Sequence, residues 1–198
     1  MVQTGMRGEL RKKEITDATV DAIAKHGVRG ATINRIATQV GVTPAALYFY
    51  FSGRRELLLA AMDEVIDKIR ETRRNAVNAD VVERLRQIGI NHMNLVSAQE
   101  EVAAAFLEFI CAPPEENLRE ALGARQLMLA DELAEIVKQG QEQGTIREEL
   151  DPYQVAWAFI GRAWAVHIAH MMGIADHSNS TRATWMLDTL LDAVRAPD

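Results

Sequence analysis

The chain has 198 residues, of which 48% are apolar and 25% charged, so it is long enough for one or two small domains with a substantial core. Its single cysteine excludes an internal disulfide framework and is typical of a reducing compartment, which predicts a cytoplasmic location. The N-terminus lacks the apolar segment of a signal peptide. The most apolar stretch, residues 155–172, contains Arg162, His167 and His170, which argues against a membrane span.

The net charge of −6 at first argues against a nucleic-acid partner, but the charge is unevenly distributed. Residues 1–56 hold nine Lys/Arg and five Asp/Glu, a net charge of +4. Residues 57–198 hold thirteen and twenty-three, a net charge of −10. A basic N-terminal module on an acidic body can attract DNA locally, so the charge pattern allows a DNA-binding protein.

Two short helices and a sharp turn are predicted between residues 32 and 51, after a first helix that ends near Gly27. Thr32 can cap the first of the two, whose apolar face has helical spacing. The residues of that face are Ile33, Ile36, Ala37 and Val40. Gly41 suits the left-handed end of this helix, and Thr43 and Pro44 suit the start of the next. The pattern predicts a helix-turn-helix, whose second helix enters the DNA major groove.

Five large residues in succession, Leu47 to Phe51, follow in the second of these helices. One helical face cannot bury them all. Leu47 and Phe51 are four apart and are predicted to face the core, which leaves Tyr48, Phe49 and Tyr50 at or near solvent. DNA phosphates and sugars would give the exposed hydroxyls a partner. A small aromatic core with two partly exposed tyrosines is an alternative that the pattern leaves open.

In these residues the sequence resembles the TetR family of bacterial transcription regulators. The matching features are Gly41-Val42-Thr43, Leu47-Tyr48-x-Tyr50-Phe51, Arg54, Leu57-Leu58 and, upstream, Gly30-Ala31-Thr32 with Ile36-Ala37. The resemblance implies an all-α fold of about nine helices, with a three-helix DNA-binding module followed by a bundle for ligand binding and dimerisation. It places the DNA-binding domain at residues 9–56, with the helix-turn-helix at about 32–51, and the second domain at residues 57–198.

The resemblance also implies which residues contact DNA. Thr43, Tyr48 and Arg54 occupy positions of phosphate contacts, and the amide of Asn34 suits adenine. Pro44, Ala45 and Ala46 lie nearest the bases but offer no side-chain hydrogen bond, so thymine methyl groups and DNA shape would carry recognition there. The full set is Thr32, Asn34, Arg35, Thr43, Pro44, Ala45, Ala46, Tyr48, Tyr50 and Arg54. The predicted partner is a palindromic, double-stranded operator.

Helical spacing continues through the rest of the chain, first in an uninterrupted helix from Arg54 to Asn75. The eighth predicted helix, from Pro152, is apolar nearly all round. One stripe is bulky and is predicted to face the subunit's own core: Trp157, Ile160, Trp164, Ile168 and Met171. An adjacent stripe of small residues lets another helix approach closely, which predicts a homodimer through the last two helices. The predicted interface residues are Ala158, Gly161, Ala165, Ala169, Leu187, Leu190, Leu191 and Val194.

A ligand cavity among helices 4 to 8 is expected from the resemblance, and an apolar or aromatic effector would suit it. The candidate lining residues are His92, Phe106, Phe109, Gln126, Met128, Trp157 and Arg162. Each could instead be an ordinary core residue. Arg162 could bind an anionic ligand or pair with an acidic residue across the dimer.

No catalytic constellation stands out, so no catalytic residue, cofactor or metal is predicted, and the chain is not expected to be an enzyme. His167, His170 and His177 could hold a metal, but no carboxylate or thiol is clearly placed to complete the shell. The favoured function is a homodimeric repressor that a small molecule releases from DNA. The alternative is a helical-bundle enzyme or metal-binding protein with a structural N-terminal module.

Overall fold

The computed structural model describes residues 2–174 and 180–197, with side chains from residue 7 to 174 and from 181 to 197. Within these ranges it contains nine α-helices, one 3-10 turn at Pro114–Glu116 and no strand beyond a single bridge between Ile146 and Arg195. The helices are α1 (Val2–Gly30), α2 (Ile33–Gln39), α3 (Pro44–Leu47), α4 (Arg54–Arg74), α5 (Val81–Ala98), α6 (Glu100–Ile110), α7 (Leu118–Glu142), α8 (Pro152–Met171) and α9 (Ser180–Val194). The all-α prediction is confirmed.

The first compact unit combines the chain up to Asp67 with Glu100–Gly123. Its largest fully buried side chains include Ile15, Ile23, Ile36, Leu57, Phe106 and Phe109. Helix α6 packs extensively against α1. At Gly27 the backbone of α1 leaves helical geometry, with φ of 70°, and the Val28 amide donates to Glu108 Oε2 at 3.3 Å. A side chain at position 27 would meet that carboxylate, so the glycine allows α6 to approach the kink.

The second compact unit combines Lys68–Gln99 with the residues from Ala124 onward. Apolar side chains of α5, α7, α8 and α9 form its core, among them Val82, Leu85, Ile88, Leu133, Val137, Phe159, Ile160, Leu187 and Leu191. Arg73 Nη1 donates to the Leu129 carbonyl at 2.8 Å and to Glu132 Oε2 at 3.0 Å, which ties α4 to α7 within this unit.

The two units do not follow chain order, because residues of α4 and of α7 belong to both. The functional division at residue 56, with domains at 9–56 and 57–198, stays a prediction. In the ranges given above, no helix is long and apolar enough to cross a membrane.

Candidate nucleic-acid interface

Two threonine caps define the helix-turn-helix. Thr32 Oγ1 accepts a hydrogen bond from the Arg35 amide at 3.3 Å, and Thr43 Oγ1 accepts one from the Ala46 amide at 3.2 Å. Between the helices Gly41 adopts φ of 67°, a conformation that costs glycine little. Both capping predictions and the glycine turn are confirmed.

Helix α3 is one turn long and is continued by a turn through residues 48–50, where the Tyr50 amide donates to the Leu47 carbonyl at 3.0 Å. Leu47 and Phe51 are 1% and 3% exposed, so they hold this segment on the core as predicted. Tyr48 is 57% exposed and Phe49 is 88% exposed. The exposure of Phe49 does not fit the alternative of a small aromatic core with two partly exposed tyrosines, whereas the exposure of Tyr48 is compatible with both interpretations.

The predicted DNA-contacting residues lie on the accessible parts of α2, α3 and the segments around them. Exposed members are Thr32, Asn34, Arg35, Thr43, Pro44, Ala45 and Tyr48, and the half-buried ones are Ala46, Tyr50 and Arg54. Arg35 Nη1 donates to the Gly30 carbonyl at 2.8 Å, which keeps its positive charge beside the start of α2. Their individual roles toward phosphates and bases stay predictions.

Helix α1 supports this surface through contacts that sequence analysis missed. Arg11 Nη2 donates to the Val40 carbonyl at the end of α2, at 3.0 Å. The Lys12 ammonium lies 5.1 Å from the centroid of the Phe51 ring, a cation–π contact. Gln39 Nε2 donates to Asp21 Oδ2 at 3.1 Å. These partners are 18 to 39 residues apart, so no local spacing could have indicated them.

Arg54 has an internal role that the sequence did not predict. Its Nη1 pairs with the Glu116 carboxylate, its Nη2 donates to the Val28 carbonyl and its Nε donates to the Ala31 carbonyl at 3.2 Å. Partial burial lowers the pKa of Arg54 from its ordinary value. The arginine therefore joins the start of α4 to the end of α1 and to the 3-10 turn. Its phosphate contact stays a prediction; these partners engage three of the five N–H groups of the guanidinium, so two remain for a phosphate.

Truncation of Arg54 is expected to destabilise the fold. Arg54→Ala removes three interactions and leaves the half-buried Glu116 carboxylate without its partner, so we expect a loss of about 1–3 kcal/mol in the free energy of unfolding. Urea denaturation followed by circular dichroism measures it. The control is Arg29→Ala, an exposed arginine of α1, for which we expect a change within about 0.5 kcal/mol. Equal stabilities of the two variants would contradict the internal role of Arg54.

A known protein family matches the N-terminal part of the chain. The family model described as "Bacterial regulatory proteins, tetR family" matches residues 15–61, which contain the helix-turn-helix just described. Residues 15–61 therefore carry a DNA-binding domain of the TetR family.

Relatives extend this likeness over most of the chain. The HTH-type transcriptional regulator BetI of Brucella anthropi is 28% identical over 191 residues, 95% of this chain and 94% of that protein. A solved structure from Rhodococcus sp., described as a TetR-family transcriptional regulator, is 28% identical with a TM-score of 0.78, covering 92% of this chain and 95% of that one. The structure of AibR with isovaleryl coenzyme A and operator DNA has a TM-score of 0.67 and covers 95% of this chain and all of that one. At 23% identity it shows the shared fold only.

The chain is thus similar to DNA-binding transcriptional regulators, and relatives of this kind are generally not enzymes. Among the residues that the structure describes, no three His, Cys, Asp or Glu side chains group as metal ligands. His177 lies outside the described residues. His167 is buried and His170 half-buried on α8.

The structure corrects the predicted dimer interface in α9. Leu187, Leu191 and Val194 are at most 5% exposed and belong to the chain's own core, and Leu190 packs against the same core. They therefore have little surface left for a second copy. Among the large apolar residues of α9 whose side chains the structure describes, those with substantial exposure are instead Trp185 and Met186.

On α8 the small-residue stripe is accessible, since Ala158, Gly161 and Ala165 are exposed and Ala169 is half-buried. The prediction that the bulky stripe faces the core is wrong for two of its members. Ile168 and Met171 are 49% and 43% exposed. The buried face of α8 is formed by Val155, Ala156, Phe159, Ile160, Arg162, Val166 and His167.

The ligand candidates divide between the two units. Phe106 and Phe109 are buried in the first unit. In the second unit His92, Gln126 and Arg162 are buried, and Trp157 packs partly exposed against the core. Met128 is 53% exposed, so its assignment to an enclosed cavity does not fit the structure. The binding roles of the remaining candidates stay predictions.

Proposed function

We propose that the chain is a homodimeric repressor that binds a palindromic operator and is released from it by a small molecule. The observation that carries the DNA-binding part is the division of the aromatic run. Leu47 and Phe51 are buried and fix the segment, while Tyr48 and Phe49 are exposed to solvent directly after the last residue of α3. An exposed aromatic pair beside a helix-turn-helix of this geometry suits contacts to the DNA backbone.

We assign contacts to DNA phosphates and bases to individual residues of this surface. Thr32, Thr43 and Tyr48 would donate to phosphates, and Asn34 would contact a base edge, since its amide can pair with adenine. Pro44 and Ala45 are exposed at the start of α3 and would approach thymine methyl groups. Residues 9–56 would form the DNA-binding domain and residues 57–198 the domain for effector and dimer, in a cytoplasmic protein.

Release by an effector requires a difference in affinity between two states. A ligand lowers operator affinity only if it binds the arrangement that does not fit DNA more tightly, and operator DNA then lowers ligand affinity by the same factor. Two copies of α3 must also reach half-sites about 34 Å apart, or a multiple of that distance. A small change in their separation would lower affinity while every base contact stays available. His92, Gln126 and Arg162, buried in the second unit, are the residues we assign to the effector site.

Selection of bound duplexes from a random pool by the purified chain, followed by sequencing, tests the proposal. We expect enrichment of one motif with two inverted half-sites. A pool whose composition is unchanged after several rounds would contradict the DNA-binding part. An enriched motif with a single half-site would contradict the palindrome.

Effector release is tested on the selected duplex. Operator affinity is measured by fluorescence anisotropy across a panel of apolar and aromatic small molecules, and ligand affinity is measured by calorimetry with and without operator. We expect at least one compound to lower both affinities by the same factor. A ligand that binds the second unit while operator affinity stays unchanged would contradict release by that ligand.

A further inference from the structure

Arg162 on α8 is a buried cation without a counterion. Its side chain is 6% exposed, and Nε, Nη1 and Nη2 are all buried without a hydrogen-bond partner among the residues that the structure describes. Burial of five N–H groups without hydrogen-bond acceptors costs free energy, and a buried charge is normally paired with an opposite charge. A buried polar group of this kind needs an explanation, and a partner from outside the chain is one.

The surroundings of Arg162 are basic or apolar. The ring of Phe159 lies 5.4 Å from its Cζ atom. His92, on the facing helix α5, is also 6% exposed, and its buried Nε2 has no hydrogen-bond partner within the described ranges. The ring of His167 meets that of His92 edge-on, with centroids 5.1 Å apart. The side chains of Arg162 and His92 are thus both buried in the region between α5 and α8, and both can donate a hydrogen bond to an anion.

The electrostatic balance of this region favours an anion. Burial, followed by the neighbouring His167, Arg162 and Arg73, lowers the pKa of His92 well below its ordinary value. Burial lowers the pKa of Arg162 to about 10, so it keeps its charge at neutral pH. Arg73 already has a carboxylate partner in Glu132. Within the described part of the chain, no salt bridge neutralises Arg162.

A glycine on α5 makes room for the guanidinium. A Cβ atom at Gly89 would lie 3.2 Å from Arg162 Nη2 and 2.6 Å from Leu187 Cδ2. Glycine inside a helix costs about 1 kcal/mol relative to alanine, so its presence indicates a need for close approach. Arg162 and the apolar side chain of Leu187 therefore meet at this point of α5. The region combines a cation with apolar walls.

A carboxylate of a second copy is a poor candidate for the missing partner, since the side chain is 94% buried within a single chain. A monoanion fits the charge of one guanidinium, whereas a dianion such as a phosphate ester would leave a net negative charge buried. The planar guanidinium matches two carboxylate oxygens in a bidentate pair.

We propose that Arg162 and His92 form the binding site for the carboxylate of an apolar organic acid. This molecule would be the effector, so the identification of the ligand class rests on the proposed function. The neutral His92 would donate Nε2–H to one oxygen, and Arg162 would donate through its fork. Phe159 and Leu187 would contact the apolar part.

The wild-type chain alone provides the first test. Calorimetry compares octanoate with octanol, which has the same chain length and no charge, and includes butyrate, decanoate and 4-phenylbutyrate. Because a hydrogen-bonded charge pair replaces an unpaired buried cation, we expect octanoate to bind about 10- to 100-fold more tightly than octanol. Equal affinities, or no binding by any carboxylate of the series, would overturn the proposal.

Two matched variants locate the site. Arg162→Met keeps the length of the side chain and removes its charge, and we expect it to lower octanoate affinity to that of octanol while its thermal unfolding temperature stays at or above that of wild type. Arg86→Met changes an arginine that is paired with Asp188 at 2.9 Å, and it should keep wild-type octanoate affinity. Retention of tight octanoate binding by Arg162→Met would overturn the proposal. If that variant does not fold, the comparison of octanoate with octanol on the wild-type chain decides.

Inorganic phosphate provides the test of the ligand class. If phosphate competes with octanoate as effectively as decanoate does, the site recognises charge alone and the apolar-acid proposal is wrong. We expect phosphate to compete at least about 10-fold less effectively.

Selection of operator DNA needs no ligand, so a chain that selects an operator but fails these tests refutes this inference and leaves DNA binding intact. A chain that binds octanoate through Arg162 but selects no DNA refutes the proposed function instead.

Discussion

Ala45→Glu is expected to lower operator affinity by about 100-fold or more, because it places a carboxylate against DNA phosphates. Ala45 is exposed in the first turn of α3, directly after the Thr43 cap and Pro44. A negative charge near a helix N-terminus stabilises the helix, so the fold should tolerate the change. The loss should therefore come from binding alone. Fluorescence anisotropy with the selected operator measures it.

Two control variants test whether the loss of affinity comes from the charge at position 45. One controls for the size of the new side chain, and the other controls for the net charge of the protein. Ala45→Gln adds a side chain of nearly the same volume without charge and should bind at least about 10-fold more tightly than Ala45→Glu. Ala98→Glu adds the same charge at an exposed position at the end of α5 and should bind like wild type. Raised salt should reduce the difference in operator affinity between Ala45→Glu and Ala45→Gln, since it screens the repulsion between the carboxylate and the DNA phosphates. Wild-type affinity of Ala45→Glu would exclude α3 from the DNA interface.

Ala165→Trp is expected to weaken the dimer by about 100-fold or more, because a symmetric interface receives the added bulk twice. Ala165 is exposed in the centre of the small-residue stripe of α8, so the monomer has room for the indole ring. A second helix packed closely on this stripe would leave no room for that ring. Operator affinity should fall as well, since each monomer offers one α3 to a two-part site.

Sedimentation velocity over a concentration series measures the dimer dissociation constant. Ala98→Trp adds the same side chain at an exposed position of α5 and should dimerise like wild type. A wild-type chain that is monomeric at micromolar concentration would refute the interface. A dimer of unchanged strength in Ala165→Trp would place the interface elsewhere.

The helix-turn-helix could be predicted because its determinants are local. A capping threonine bonds an amide three residues away, as Thr32 and Thr43 do, and Gly41 supplies the turn between them. The division of the aromatic run also follows from helical spacing, since Leu47 and Phe51 are four residues apart. These features are encoded within a short segment and do not depend on the rest of the fold.

The internal role of Arg54 could not be predicted in this way. Its partners, Val28, Ala31 and Glu116, are 23 to 62 residues away in the sequence, and only the folded chain brings them together. The position of Arg54 beside the helix-turn-helix suggested a phosphate contact, whereas its surroundings show a polar network. A distant acidic partner leaves no periodic signal in the sequence.

The α9 assignments were wrong because spacing identifies an apolar face without saying what covers it. Leu187 and Leu191 form such a face, and the chain's own core covers it. The same ambiguity affects α8, which is apolar nearly all round. There the large Ile168 was assigned inward although it is 49% exposed, while the charged Arg162 is buried. Hydrophobicity alone would have placed these two residues the other way round.

The most direct test of the central claim is the ratio of two affinities at one salt concentration. The wild-type chain is titrated into the selected operator and into a shuffled duplex of the same length and base composition, each at 0.15 M salt. Sequence-specific regulators bind their site at least about 1,000-fold more tightly than other DNA, and we expect a ratio of that order for this chain. A ratio near one would show that the α2–α3 surface attracts DNA only by charge, and it would contradict the assignment of this chain as a sequence-specific repressor.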